Sequence, residues 1–255
     1  MKQYPRLLSK SLEPYDPVEL AKETEKIVCR DDARKYTDFY ATGVYGGIAT
    51  GYTVGCCLRC YYCWVDPSRD FPEKFGEFYT ASQTFENLKR AAYKFGVRKL
   101  RISGAEPTLG RKHLLALLNL VEKSEFGIFI LETNGILFGA DKTYVEELSR
   151  FTKPHIRVSL KAGTPEGFER RTGAKKESID LPYRGIEYLK DANLSFHVAA
   201  MTDRRIMNSQ ERKTLFNKLS AIDVDLATNL EEERIDPYDT TLQRMKYAGV
   251  NLKWD

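Results

Sequence analysis

The stretch Cys56-Cys57-Leu58-Arg59-Cys60-Tyr61-Tyr62-Cys63 holds four of the five cysteines in the chain, set among aromatic residues. It follows an apolar, glycine-bearing run over residues 46–54 that reads as a strand. Thiolates this closely spaced repel one another and oxidise readily, so such a loop is costly unless a soft metal occupies it. Two registers compete. Cys57, Cys60 and Cys63 read as C-x2-C-x2-C, the opening of a ferredoxin-type run that needs a further Cys followed by Pro. Pro67 is present, but Asp66 stands before it, so that run is never completed. Cys56, Cys60 and Cys63 read instead as C-x3-C-x2-C, with an aromatic residue, Tyr62, before the last cysteine. A structural zinc site using three of these cysteines plus Cys29 or a histidine is the alternative, although such sites usually come as two separated ligand pairs. Cys29 sits on a helical pattern and reads as a small core residue.

The whole chain sets the frame for that loop. Its 255 residues suffice for one large α/β domain with a substantial core. A content of 42% hydrophobic and 30% charged residues is that of a soluble globular protein. No apolar run approaches the roughly 20 residues of a membrane span. The start, Met1-Lys2-Gln3-Tyr4-Pro5-Arg6, lacks the apolar stretch of a signal peptide, which makes the cytoplasm the expected compartment. Clustered cysteines there point to metal rather than disulfides. A net charge of +4 permits an acidic partner, such as an electron-transfer protein, without calling for nucleic acid.

Residues 1–43 read as a helical extension, with Asp16 capping a helix that begins at Pro17. From residue 44 to 255 strand and helix alternate. Strands are expected over 46–54, 99–103, 127–133, 155–161, 194–201 and 222–227. Helices are expected over 82–95, 112–123, 141–151, 165–192, 208–220 and 239–248. Six βα units predict a parallel sheet with helices outside, too few to close an eight-stranded barrel. The expected fold is therefore a partial (β/α)6 barrel, open on one side. The distinctive residues fall at the C-terminal ends of its strands, where such folds keep their active sites.

With those placements, the C-x3-C-x2-C loop resembles the radical S-adenosylmethionine (SAM) superfamily, in which Cys56, Cys60 and Cys63 would hold a [4Fe–4S] cluster. Three thiolates leave one iron with an open position, the logic that separates a catalytic zinc from a closed structural one. Cys57 then reads as a packed bystander. Ser103-Gly104-Ala105-Glu106 resembles the family's Gly-Gly-Glu motif, implying that Gly104, Ala105 and Glu106 receive the ammonium of SAM. Glu132-Thr133-Asn134-Gly135 resembles the Asp-Thr-Asn-Gly of glycyl-radical-enzyme (pyruvate formate-lyase) activating enzymes. Ser159-Leu160-Lys161 resembles their Asp-x-Lys, in which the Asp meets the SAM ribose and the Lys its carboxylate. Glu132 and Ser159 depart from that pattern; Ser159 brings no charge, which puts in doubt any monovalent-cation site built from both acids. The resemblance also implies cofactor contacts for Tyr62, through its backbone at the adenine, and for His197 on the fifth strand. His113 and His155 carry no motif, and Arg170, Arg171, Lys175 and Lys176 form a basic loop.

The implied chemistry is reductive cleavage of SAM by the reduced cluster to methionine and a 5′-deoxyadenosyl radical that abstracts hydrogen. No side chain is singled out as catalytic. A flavodoxin or ferredoxin is the expected electron donor. The Thr-Asn-Gly and Leu-Lys motifs, the open barrel side and the lack of an evident cap after residue 201 favour a partner protein as substrate. The alternatives are a small molecule, as for 7-carboxy-7-deazaguanine synthase, and a non-catalytic Fe–S or zinc protein that binds a partner.

Overall fold

The computed structural model describes residues 4–254. In chain order the elements are α1 (Pro17–Val28), β1 (Cys29–Arg30), β2 (Ala33–Thr42), β3 (Ile48–Thr53), β4 (Glu77–Thr80), α2 (Ala81–Phe95), β5 (Lys99–Gly104), α3 (Arg111–Glu122), β6 (Ile128–Thr133), α4 (Ile136–Ala140) and α5 (Lys142–Leu148). They continue with β7 (Pro154–Leu160), α6 (Pro165–Thr172), α7 (Asp180–Asp191), β8 (Phe196–Met201), α8 (Ser209–Ile222), α9 (Val224–Thr228), β9 (Glu231–Glu233) and α10 (Asp239–Ala248). Among the described residues the strands form one sheet in the order β1-β2-β3-β5-β6-β7-β8-β9, with β4 paired to β2. The run from β3 through β9 is parallel throughout. It is a partial (β/α)6 barrel, open on one side.

Local sequence accounts for most of these elements. Helix α2 starts at a capping box in which Thr80 and Gln83 bond reciprocally, and it ends at Gly96 in the left-handed conformation. Its Thr84, Leu88, Ala91 and Ala92 are buried, while Phe95 at its end is exposed. Asp16 caps α1 and Asp141 caps α5.

Two expectations need correction. Residues 1–43 are not simply a helical extension: β2 extends the barrel sheet antiparallel to β3, and β1 pairs antiparallel with β2. The β-branched and aromatic content of β2, from Tyr36 to Thr42, carries that preference. Residues 222–227 are not the last strand, because Asp223 accepts from the Asp225 amide and starts α9. The sixth parallel strand is Glu231-Glu232-Glu233, which shows no apolar period. Arg157 pairs with Glu231 and Glu233, and Arg212 with Glu232, so basic residues from other elements make this acidic strand tolerable.

Helix α3 is tied to β2 by a buried histidine. The His113 Nε2 meets the Tyr36 hydroxyl at 2.8 Å and its Nδ1 meets the Asp32 carbonyl at 2.6 Å. Burial, with the Arg34 charge, pushes the His113 imidazole down to about 4. A depressed histidine contributes stability above its unfolded value near 6.5 and loses it as pH falls toward its folded value. Denaturant melts should therefore weaken between pH 6.5 and 4, by about 3 kcal/mol at ~1.4 kcal/mol per pH unit. His113→Gln should flatten that slope.

Candidate active site

The cysteine loop leaves β3 and crosses the C-terminal ends of the parallel strands. Cys56, Cys60 and Cys63 line one cavity of about 270 Å³ together with Glu106, Asn134 and Lys161. Cys57 is fully buried and does not line the cavity; the Asn134 Nδ2 donates to its sulfur at 3.3 Å. Tyr62, Gly104, Ala105, Thr133 and Ser159 also face the cavity. The loop is shielded from water on its other side, where Tyr61 is 3% exposed and packs edge-on against Tyr62.

The turn after β5 shows why glycine stands at 104. Its φ is +93°, and a Cβ there would lie 3.1 Å from the Thr53 nitrogen. This close passage lets Ala105 N bond Thr53 O and Glu106 N bond Gly55 O. Glu106, 1% exposed, then joins two loops. Its Oε1 accepts from Thr108 N, Thr108 Oγ1 and Thr133 Oγ1, and its Oε2 accepts from Asn134 N at 2.9 Å. Only Oε2 keeps capacity for a ligand.

Beneath these residues the cavity has a charged floor. Glu132 accepts from Tyr45 and Arg101 on one oxygen and from Ser103 on the other. Arg157 reaches Glu231 through Nε and Nη2, and Glu233 through Nη2. Ser159 donates to Glu233 at 2.8 Å and accepts from Lys161 at 2.5 Å. Burial would raise the Glu233 carboxyl, but the Lys161 and Arg157 charges outweigh it and hold the group below the usual range.

His197 does not line the cavity, contrary to the sequence expectation. In the parallel register Ser159 pairs with Ala199, and His197 lies one strand repeat deeper, beside Arg157. There it stacks on His155, bonds its Nε2 at 2.7 Å, and meets Glu231 at 3.0 Å. Hydrogen bonds from His197 and Arg157 hold the Glu231 carboxyl down to about 2. The pair of histidines supports the floor from below.

Several residues that shape the site carried no local signal. Asp70, 3% exposed, accepts from Arg69 on one oxygen and from Arg244 of α10 on the other. Arg69 also holds the Cys60 carbonyl at 2.6 Å, and Arg244 holds that of Cys63 at 2.7 Å. Helix α10 is thus fastened to the cysteine loop across most of the chain. Arg171, placed in the basic loop by sequence, is instead fully buried against Glu211.

The sequence profile of the radical SAM superfamily matches residues 51–219, from β3 to near the end of α8. The chain belongs to the radical SAM superfamily. Among the curated relatives it resembles are proteins named "Probable GTP 3′,8-cyclase". That of Archaeoglobus fulgidus is 34% identical over 155 residues, covering 59% of this chain and 48% of the relative. That of Methanococcus maripaludis strain C5 is 31% identical over 144 residues, covering 56% and 45%. The chain spans just under half the length of these relatives. Among solved structures, Streptococcus suis SuiB bound to precursor peptide SuiA aligns with a TM-score of 0.60 at 17% identity, covering 82% of this chain and 42% of SuiB. An anSMEcpe structure with bound AdoMet gives 0.51 at 19% identity, covering 71% and 47%. These last two are likenesses of fold.

Radical SAM proteins use a [4Fe–4S] cluster and SAM, with an electron from an external donor. The donor set fits that cluster: three soft thiols on one loop face one cavity, with buried Arg69 and nearby Lys161 to offset thiolate charge. Among the described residues no three Cys, His, Asp or Glu side chains converge as a single-ion site requires. A cubane asks for one thiolate at each of three corners instead. Among the described residues no helix is long and apolar enough to cross a membrane.

Removing Arg244 would take a donor from Asp70 and from the carbonyls of Cys63, Val65 and Asp66. Arg244→Met should cost about 3–5 kcal/mol of stability, read as a lower melting temperature. It should also release iron faster from the reconstituted protein.

Proposed function

We propose that this radical SAM enzyme acts on a small polar molecule, foremost a nucleotide, rather than on a partner protein. The observation that carries the reading is the wall formed by residues 231–238. Glu233, Arg234, Ile235 and Tyr238 line the same cavity as the cysteine loop, so the segment after residue 201 contributes a wall that sequence left unassigned. A walled cavity with a few converging charged groups suits a small ligand. The relatives named as GTP 3′,8-cyclases support the same class of substrate. They favour it over the activating-enzyme reading.

In this reading Cys56, Cys60 and Cys63 would hold the cluster. Lys161 would take the cofactor carboxylate and Glu106 Oε2 its ammonium, while Tyr62, Gly104, Ala105, Thr133 and Asn134 would shape the rest of the SAM pocket. When bound, the cluster and SAM supply reductive sulfonium cleavage and hydrogen-atom abstraction. The residues of the chain orient both cofactors, exclude water and balance charge.

Two measurements test this. Cys56→Ala should lose the cluster, whereas Cys57→Ala should keep about four irons per chain and cleave SAM; the opposite pattern would restore the ferredoxin-like register. Reduced protein with SAM should release more 5′-deoxyadenosine when a nucleotide fraction is added. Stimulation by cell-extract proteins alone, with a glycine-centred radical on one of them, would overturn the small-molecule reading.

A further inference from the structure

Ser159 ends a strand at the cavity, yet it has no proton left for a ligand. Its hydroxyl donates to Glu233 Oε2 at 2.8 Å, and the same oxygen accepts from Lys161 at 2.5 Å. The acceptor facing the cavity at this point is therefore the Glu233 carboxylate, delivered from β9, two strands away in the sheet. Glu233 Oε1 accepts from Arg157 Nη2 at 2.8 Å, which leaves one lone pair on each carboxylate oxygen. Arg157 is 8% exposed and also lines the cavity, and among the described residues its hydrogen bonds run through Nε and Nη2, leaving Nη1 without a partner there. The three groups thus present two acceptor sites and one donor side by side.

The charge around Glu233 narrows what this face accepts. Arg157 and Lys161 already offset the carboxylate, so it has hydrogen-bonding capacity without surplus negative charge to attract a cation. Glu132 shares the cavity and Glu231 lies just below, which disfavours a phosphate. A neutral ligand with adjacent hydroxyl donors matches best, and a carboxylate bonding a ribose hydroxyl is a recurring solution for nucleotides.

We propose that Glu233, oriented by Ser159 and Arg157, is the residue with which the cavity binds the vicinal diol of a ribose. The diol belongs either to the SAM cofactor or to a nucleoside substrate, since both carry this chemistry. The inference rests on the functional reading that cofactor and nucleotide share the cavity. SAM cleavage by the wild-type protein tests that reading separately, so the two can fail independently.

The test is calorimetric titration of cluster-reconstituted protein, under anaerobic conditions, with SAM, GTP and the 2′-deoxyribose form of each. Wild-type protein should prefer the ribose form of one ligand by about tenfold or more, the range for a hydrogen bond to a charged group. Glu233→Ala should bring that preference close to unity, and Glu233→Gln, nearly isosteric, should reduce it. Moving the carboxylate back to β7, as Ser159→Asp combined with Glu233→Ser, should restore part of it. Loss of preference for SAM assigns the diol to the cofactor, and loss for GTP assigns it to the substrate. If Glu233→Ala and Glu233→Gln weaken ribose and deoxyribose forms equally, or change neither, Glu233 is only a structural prop and the proposal is wrong.

Discussion

Asp70 lies buried between two guanidinium groups, those of Arg69 and Arg244, and through them it grips the carbonyls of Cys60 and Cys63. A loop that points three thiols into one cavity must turn backbone oxygens outward, where burial would leave them unsatisfied. Here arginine supplies the donors, and one carboxylate bridges both arginines, leaving positive charge beside the thiols. The same contacts draw α10 across the loop and so position the residues that wall the cavity. Cluster loop and cavity wall are therefore mechanically one unit.

The parallel strands convert register into chemistry. Inward positions on β5, β6, β7 and β9 carry Arg101, Ser103, Glu132, Arg157, Ser159 and Glu233, and successive residues on one face lie two apart along each strand. Charged groups in a barrel interior survive only when paired, and here Arg101 pairs with Glu132 on the adjacent strand while Arg157 reaches past β8 to Glu231 and Glu233 on β9. The histidine pair at the lower end extends this column, while its upper end meets Lys161 and the cysteine loop. An interior built this way gives up apolar packing for a floor able to read a polar ligand.

Much of this was legible in the sequence where chemistry and spacing are local. The cysteine spacing, the capping of α1 by Asp16, and most strand and helix positions all depend on neighbours within a few residues. What stayed hidden depends on distant partners. Glu231-Glu232-Glu233 looks like solvated charge until Arg157 and Arg212 are placed beside it. Arg244 lies 174 residues from Asp70, and nothing near it in the chain marks it out. The family resemblance places His197 at the cofactor, whereas its depth along β8 depends on the register with β7. Strand β2 was missed because its aromatic content was read as part of an extension.

The central claim is that this cavity brings hydrogen-abstracting chemistry to bear on a small nucleotide held inside it. Isotope transfer tests it most directly. Reduced, cluster-loaded protein is incubated with SAM and GTP deuterated throughout its ribose, and the 5′-deoxyadenosine formed is analysed by mass spectrometry. The account predicts deuterium in the 5′-deoxyadenosine methyl group, with matching loss from the nucleotide. Unlabelled 5′-deoxyadenosine from every deuterated nucleotide supplied, alongside labelled product from a deuterated protein, would contradict it.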